Sequence, residues 1–392
     1  MAEAPAPSFH TTRHTPPSLL HRVPAAIRLI GIAVVLYVFL ASIGLMGAGF
    51  KSMGREFAQR LIQATGNPFV GLLVGVLATS IVQSSSLTTS IVVGMVSAGT
   101  LTVRCAVPIV MGANIGTTVT NTIVSLGYVM RPKDFRRAFA CGTVHDFFNY
   151  LCVLLMLPVE LLGQAFFGVG PLEKTALWVE HLFVGVDSVS FAGPVKLAVK
   201  PVVGLIKTGI VGMLGKGFGA SWTMVGLALA LLFASLWAIT KLMRSLVLSR
   251  LEAVIDRTVG RSVALGVVVG LVFTAIVQSS SVTTSILVPL AAAGLIELPQ
   301  VFPITVGANI GTTVTALLAA LGGSPAGLQI ALVHLLFNGV GTALFMPFPP
   351  LRRVPLALAT WLAGLTARSR WYAVVYVVVL FFIIPGLMIF LT

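Results

Sequence analysis

Two nearly identical polar strings, far apart in an otherwise apolar chain, constrain this sequence more than any other feature. Residues 83–90 read Gln-Ser-Ser-Ser-Leu-Thr-Thr-Ser, and the same octet, with Val in place of Leu, returns 195 residues later at 278–285. A second string, Gly-Ala-Asn-Ile-Gly-Thr-Thr-Val-Thr at 112–120, recurs at 307–315 with the same offset. Long matches at one fixed offset indicate an internal duplication. The chain must therefore fold as two related halves.

The composition predicts that both halves lie in a membrane. Of the 392 residues, 57% are hydrophobic and only 9% are charged, whereas soluble domains carry about 25% charged residues. Stretches of about 20 apolar residues can span a bilayer. The clear candidates are 27–50, 105–129, 138–160, 222–247, 301–321, 326–348 and 371–391. The sequence thus predicts an all-α polytopic membrane protein, and excludes a soluble or disordered chain.

The two octets interrupt further apolar stretches, 68–98 and 263–295, near their middles. Irregular backbone at membrane depth is tolerated only where protein or a water-filled cavity satisfies its polar groups. We therefore interpret each stretch as a re-entrant helical hairpin that carries a Gln-Ser-Ser-Ser turn. Two hairpins entering from opposite sides bring both turns together near the middle of the membrane, as in transporters built from inverted repeats.

The basic residues predict the orientation of the halves. The net charge is +14, yet 16 of the 25 basic residues lie in four segments between apolar runs, at 1–28, 131–137, 241–261 and 348–370. This placement favours membrane orientation over nucleic-acid binding, because cytoplasmic loops are rich in Lys and Arg. All four segments are cytoplasmic if both hairpins are re-entrant. The first helices of the two halves then run in opposite directions, which is an inverted topology.

This topology predicts a multi-pass protein of the cell membrane with its N-terminus in the cytoplasm. It divides the chain into five parts. The expected parts are a cytoplasmic tail at 1–26, a first membrane repeat at 27–160, an extracytoplasmic loop at 161–221, a second, inverted repeat at 222–348, and a basic cytoplasmic loop with a final transmembrane helix at 349–392.

The turns offer the chemistry of an anion site. Each supplies a Gln amide, three hydroxyls, and the free N–H groups of the helix that follows, which bind anions with the help of the helix dipole. Close packing of small residues in lipid is the alternative role of such serines, but two matched octets favour a site. The candidate anion-binding residues are Gln83, Ser84, Ser85, Ser86, Gln278, Ser279, Ser280 and Ser281.

Oxygen-bearing side chains beyond the octets predict a cation site. Asn114, Thr118 and Thr122 lie on one stripe of a helix, and the second half keeps the first two of them as Asn309 and Thr313. Such oxygen ligands suit hard cations. No Lys or Arg lies in the octets or the asparagine strings, so co-bound small cations would balance a multivalent anion and couple its binding to theirs.

A third pair of strings places an acid in the first half alone. Residues 144–149 resemble 333–338, but Asp146 is replaced by Leu335. An acid within a membrane span indicates function by default, although pairing with Arg136 or Arg137 is an alternative role. For the repeated histidines of these strings, at 145 and 334, we expect packing and hydrogen bonding rather than proton relay.

At these residues the sequence resembles the type II sodium–phosphate cotransporter family, over roughly 27–391. Its marks are the paired octets, the paired asparagine strings, and the strings at 136–140 and 144–149. The resemblance implies sodium-driven uptake of inorganic phosphate, with phosphate at the two turns. It implies sodium roles for residues such as Thr122, Asp146 and Asn149. Electrogenic members of the family are similar to this chain at Asp146.

Two other classes of function compete with a phosphate symporter. In an anion channel, the twin polar turns would form a selectivity constriction, but two opposed half-sites favour a transporter. An intramembrane hydrolase lacks support, because the serines follow no nucleophile-elbow pattern. We expect no enzymatic activity, no cofactor and no transition metal, with sodium, phosphate and the lipid bilayer as partners.

Overall fold

The computed structural model describes residues 25–184, 193–258 and 262–391, and the predicted cytoplasmic tail lies almost wholly outside them. The described residues form seventeen α-helices and no strand, which confirms an all-α protein. Helices α1 to α9 are Ala25–Ser52, Gly54–Ala64, Pro68–Val82, Ser85–Ser97, Val103–Thr117, Val119–Leu126, Pro132–Phe167, Pro171–Val184 and Gly193–Leu214. Helices α10 to α17 are Phe218–Thr258, Val263–Val277, Ser280–Ala292, Leu298–Leu321, Pro325–Phe345, Pro349–Arg368, Trp371–Val378 and Ile384–Leu391.

Eight helical segments of the described chain are long and apolar enough to cross a membrane. Seven correspond to the apolar stretches expected from the sequence. The eighth, Pro194–Leu214, lies within 161–221, where we expected a loop, and most of its side chains are exposed at the protein surface. Lysines at 196, 200 and 207 interrupt the apolar run, but long lysine side chains can extend along a helix toward water. The described part of the stretch 161–221 thus consists largely of helices, where we expected a loop.

The helices that flank the octets are short. Helices α3 and α11 have 15 residues each, and α4 and α12 have 13. All four fall below the length of about 20 residues that a spanning helix needs. A bend of 98° separates α3 from the preceding α2.

Matched glycines pack each hairpin against the helix that carries the asparagine string. A Cβ on Gly75 would collide with the carbonyl oxygen of Ile109, and a Cβ on Gly270 would collide with that of Ile304. Helix α3 therefore touches α5, and α11 touches α13, backbone to backbone. Such close approach through small residues is typical of helix pairs in membranes. The two halves thus repeat one packing solution.

A buried acid at the end of the expected first repeat joins α7 to α8. The Glu160 carboxylate accepts hydrogen bonds from the main-chain N–H groups of Leu172 and Glu173, at 2.7 and 3.2 Å. These N–H groups belong to the first turn of α8 and lack partners in the helix. Partial burial raises the pKa of the Glu173 carboxyl, the nearby Glu160 raises it further, and Arg104 opposes the shift.

The long helix α7 separates the outer ends of the two hairpins. Near its start, Arg137 lies against Gly294, which follows the second hairpin. Near its end, Gln164 accepts a 3.2 Å hydrogen bond from Arg104, which follows the first hairpin. A helix rises about 1.5 Å per residue, so these two contacts lie roughly 40 Å apart along α7. The equivalent hairpins therefore end at opposite ends of the protein.

The segment 349–370, expected as a basic cytoplasmic loop, is mostly the helix α15. It does not qualify as a spanning segment, and its apolar side packs on the start of α7 and on α16, where Phe135, Phe139, Leu362 and Ala373 form a small core. A π-helical turn at Val379–Ile383 then joins α16 to α17 in the final span.

Candidate functional site

Each octet begins at a break between two helices. Gln83 directly follows α3 and Gln278 directly follows α11. These are the non-glycine residues of the described chain with positive φ, at 57° and 59°. A left-handed backbone is uncommon for residues with side chains and often marks a functional site. Ser84 and Ser279 then cap α4 and α12, each accepting a hydrogen bond from the N–H three residues later. The two turns share one conformation.

Paired threonines hold the two helices of each hairpin together. Thr79 donates a 2.9 Å hydrogen bond to Thr88 across the first turn, and the Thr274 and Thr283 hydroxyls are 2.7 Å apart across the second. All four side chains are buried. The later threonines of the octets, which the sequence pattern did not assign to the site, therefore support the turns rather than face a ligand.

The two turns line one cavity of about 180 Å³. Ser84 and Ser86 of the first turn and Gln278 and Ser279 of the second contribute its polar wall. Its other walls are Val82, Leu87, Phe233, Leu236, Trp237 and Thr240. A water molecule takes up about 30 Å³ of liquid volume. The cavity is several times larger, so it has room for a small tetrahedral oxyanion. Residues of both turns therefore line the same cavity, although the turns are 195 residues apart in the chain.

The other octet serines lie in the first turns of α4 and α12. Ser85, Ser86 and Ser280 are 3–5% exposed, and Ser281 is half-buried. The first N–H groups of a helix have no partners within it and carry partial positive charge. The cavity is therefore bounded by two helix N-termini, an arrangement that favours an anion although no basic residue lines it.

The two glutamines differ in their partners. Gln278 accepts a 2.8 Å hydrogen bond from Thr315 and donates one to the carbonyl of Ala275. In the first half, the equivalent Gln83 is exposed, and the buried hydroxyl of Thr120, the counterpart of Thr315, has no partner among the described residues. A hydrogen bond from Thr315 thus joins α13 to the second turn, and the first turn has no equivalent bond within the described chain.

The histidines exchange equivalent bonds between the halves. His145 Nε2 lies 3.0 Å from Asn309 Oδ1, and His334 Nε2 lies 3.3 Å from Asn114 Oδ1. Each histidine therefore contacts the asparagine of the other repeat. All four side chains are buried. This reciprocity agrees with the hydrogen-bonding role expected for the histidines, and it couples the halves directly.

Asparagines complete this buried network. Asn149 donates a 2.8 Å hydrogen bond to the main-chain oxygen of Asn114 and accepts one of 2.8 Å from Asn309. Asn338 donates a 3.1 Å hydrogen bond to Asn114 Oδ1. The structure thus brings Asn114, Asn149 and Asn309 together, but their side-chain oxygens already accept hydrogen bonds.

Asp146 lies in a separate polar cluster. Its Oδ2 accepts hydrogen bonds from Tyr376 at 2.6 Å and from Thr122 at 3.3 Å. Thr118 lies beside the same carboxylate, and its hydroxyl donates a 2.7 Å hydrogen bond to the carbonyl of Ile115. The side chain is fully buried. Its other oxygen, Oδ1, accepts no hydrogen bond from the described residues. Thr118, Thr122 and Asp146 therefore lie together, with one carboxylate oxygen available.

Two sequence-based expectations about neighbouring residues are resolved by these contacts. No ion pair joins Asp146 to Arg136 or Arg137 within the described chain, and both arginines are exposed. The alternative role of Asp146 as their partner is therefore wrong. Thr313 makes the same hydrogen bond to its own helix as its counterpart Thr118, in this case to the carbonyl of Ile310. Its half has no acid at the equivalent place, because Leu335 replaces Asp146.

Asn121 connects the first half to the second octet. It exchanges hydrogen bonds of 2.8 and 3.0 Å with Thr284 and accepts one of 3.3 Å from Ser285. In the second half, Ala316 stands at the equivalent position. The buried Ser90 hydroxyl, the counterpart of Ser285, correspondingly has no partner in the described chain. The replacement of Asn121 by Ala316 between the two halves was the available signal for this contact in the sequence.

Sequence reasoning missed Tyr376 as a partner of Asp146. Tyr376 belongs to the last span, outside the duplication, so no repeated string marks it. Lys241 was also missed: its ammonium lies 4.7 Å from the ring centroid of Trp237, a wall of the cavity. A hydroxyl in an apolar helix was the available signal for Tyr376.

Comparison with known proteins matches the chain over 38–174 and 231–384 to the family described as Na+/Pi-cotransporter. These ranges contain both octets, both asparagine strings, Asp146 and Tyr376. The sodium-dependent phosphate transport protein 2B of Homo sapiens is 36% identical, and the alignment covers 91% of this chain and 64% of that protein.

A second relative gives the same result. The sodium-dependent phosphate transport protein 2A of Rattus norvegicus is 35% identical over 90% of this chain and 66% of its own length. The chain thus spans somewhat less than two thirds of the length of these relatives. No solved structure matches the chain significantly.

Proposed function

The chain belongs to the Na+/Pi-cotransporter family, and from this premise we propose that it imports inorganic phosphate together with sodium ions across the cell membrane by alternating access. The observation that carries the proposal is the single cavity that both Gln-Ser-Ser-Ser turns line. The relatives are sodium-dependent phosphate transport proteins, which favours a symporter over the channel considered from the sequence.

Phosphate binds between the two turns in this proposal. The N–H groups at the starts of α4 and α12 donate to phosphate oxygens, and the serine hydroxyls at 84–86 and 279–281 add donors. Gln83 and Gln278 contribute their amides from the left-handed ends of α3 and α11. Preorganised donors bind an anion more strongly than the same groups do when they are free to hydrogen-bond with bulk water. The site therefore needs no lysine or arginine.

In this proposal, the first of two sodium sites is at Asp146. The free Oδ1 and the hydroxyls of Thr118 and Thr122 form an oxygen-rich site, and hard cations prefer such ligands. We place a second sodium ion at Asn114, Asn149, Asn309 and Thr313. To bind there, it has to displace the groups that now donate hydrogen bonds to the asparagine oxygens. Loading of this second site therefore rearranges the bonds between the halves, which would connect ion binding to the change in access.

Charge neutralisation couples the two substrates. The phosphate cavity has no fixed cation, so bound sodium lowers the electrostatic cost of holding a multivalent anion at membrane depth. Because only the first half carries an acid at this place, the two halves contribute unequally to the charge that moves. We propose that transport is electrogenic for this reason.

Re-entrant hairpins in inverted repeats form the proposed framework. The opposite placement of the hairpin ends along α7 and the exchanged histidine contacts support this arrangement. The basic segments around 133, 137, 353 and 368 would then lie in the cytoplasm, together with the N-terminus. The membrane repeats at 27–160 and 222–348 remain the proposed functional units.

Uptake by proteoliposomes tests the function. Labelled phosphate should accumulate above equilibrium only under an inward sodium gradient, and a potassium gradient of equal size is the control. Gln83→Ala and Gln278→Ala should each abolish accumulation while the folded protein remains in the membrane, since a lost hydrogen bond to a charged ligand costs about 1.5–3 kcal/mol. Downhill phosphate flux without any sodium requirement would identify a channel instead.

A further inference from the structure

Two connected cavities lie at the start of α7, away from the octets. The first, of about 480 Å³, is bounded by α7, by the link between α12 and α13, and by α15. The second, of about 950 Å³, extends along α15. Arg136, Leu298 and Thr360 line both, so the two form one continuous groove. Its basic lining residues are Lys133, Arg136, Arg137, Arg353 and Arg368.

The positive charge of this groove is almost unopposed. Glu297 is the acid that lines it, so one carboxylate stands against five basic side chains. None of the five basic side chains forms an ion pair with a described acid. The basic side chains that line one groove repel one another. An anion in the groove would relieve this repulsion.

One guanidinium of the groove lies beside a glycine. Gly294 has φ +75°, and a Cβ there would stand 2.5 Å from Nη1 of Arg137. The absence of a side chain therefore leaves the space that the guanidinium uses. Arg137 thus lies against the link between α12 and α13, and its side chain is exposed to the groove.

Guanidinium groups from separate elements favour a phosphate ligand, because their planar forks donate two parallel hydrogen bonds to phosphate oxygens. The groove also has an apolar rim of Leu356, Trp361 and Leu365 on α15. Exposed tryptophans are typical of membrane–water interfaces, and basic pockets beside spanning helices bind anionic headgroups. We propose that this groove is a second, non-transport site that binds a phosphate group, carried by an anionic phospholipid or present as free phosphate.

The test measures thermal unfolding of the full chain in nanodiscs. One arm compares phosphatidylcholine with phosphatidylcholine containing phosphatidylglycerol. The other adds sodium-free inorganic phosphate to phosphatidylcholine nanodiscs. Each arm uses the wild type and the double variant Arg136→Gln/Arg137→Gln. The matched control is Arg131→Gln/Arg370→Gln, which removes the same charge nearby, where Arg131 pairs with Asp134 outside the groove.

A ligand that binds the folded state raises the unfolding temperature. We expect phosphatidylglycerol or inorganic phosphate to raise it in the wild type and the control, and the double variant to bind about tenfold or more weakly. The arm that responds identifies the source of the phosphate group. If the double variant fails to fold, Arg136→Lys/Arg137→Lys replaces it and should show weakened binding. Equal shifts in all variants, or no shift in either arm, would overturn the proposal.

Discussion

Tyr376 donates a 2.6 Å hydrogen bond to Oδ2 of Asp146, and this bond joins the final span to the acid of the first half. The final span has no counterpart in the duplicated region, and Leu335 takes the place of Asp146 in the second half. The surroundings of Asp146 therefore have no equivalent in the second half. They combine α7, which belongs to a repeat, with the final span, which does not. This asymmetry underlies the first two predictions.

Tyr376→Phe should lower the sodium concentration needed for half-maximal phosphate uptake, by about threefold to tenfold. The tyrosine hydroxyl stabilises the free carboxylate more than a carboxylate neutralised by sodium, and a hydrogen bond to a charged group contributes about 1.5–3 kcal/mol. Sodium titrations of uptake measure the effect. Tyr372→Phe, on the same helix at an exposed position, is the control. An unchanged or higher half-saturating concentration contradicts the proposed sodium site.

Asp146→Asn should remove the acceleration of uptake by an inside-negative potential. The substitution keeps the size of the side chain but removes its charge, and so changes the net charge moved with each phosphate. A potential acts on that charge with about 2.3 kcal/mol per elementary charge per 100 mV. Potassium diffusion potentials set with valinomycin provide the measurement. A variant that transports with the full voltage response would show that Asp146 does not carry the sodium charge.

Thr315→Val should lower the thermal stability of the protein, whereas Thr120→Val should not. Thr315 donates to Gln278, while the buried Thr120 hydroxyl has no described partner. Loss of a hydrogen bond costs about 0.5–1.5 kcal/mol, and a methyl group in place of an unpaired hydroxyl costs little. Unfolding midpoints of the two variants, measured side by side in detergent, test this difference. Equal effects would contradict the asymmetry of the two turns.

Gly270→Ala should destabilise the protein by about 1–3 kcal/mol, as expected for overpacking in a tight core. The added methyl group would meet the carbonyl oxygen of Ile304 and push α11 away from α13. Gly47→Ala is the control, because a Cβ added at Gly47 would have nothing within 4 Å of it. Thermal unfolding of purified protein compares the two variants. Equal stability of both would mean that these helices can separate without cost.

Single cysteines should reveal the topology. In a background without Cys105, Cys141 and Cys152, an impermeant thiol reagent added from outside should label cysteines at 66 and 324, since these positions lie at the end of the protein expected outside. Cysteines at 133 and 353 should react only after the membrane is opened. Labelling of 324 and 353 from the same side would show that α14 does not span.

Much of the site could be predicted because duplication is visible in one dimension. The octets and asparagine strings repeat at a fixed offset. The sequence alone therefore predicted that both copies contribute to the site. Apolar length likewise predicted seven of the eight candidate spans. The helix at 194–214 was missed because its lysines interrupt the apolar run, and hydropathy alone does not distinguish lysines along a helix surface from lysines in a loop.

The sequence by itself determined that the protein is helical, duplicated, embedded in a membrane and equipped with two matched polar turns. Only the tertiary structure decided which polar group pairs with which. Asn121 and Thr284 are 163 residues apart, and Asp146 and Tyr376 are 230 apart. An asparagine or threonine can serve equally as a ligand, a cap or a bridge between helices. Its role depends on which donors and acceptors packing brings within about 3 Å of it, and spacing along the chain does not carry that information.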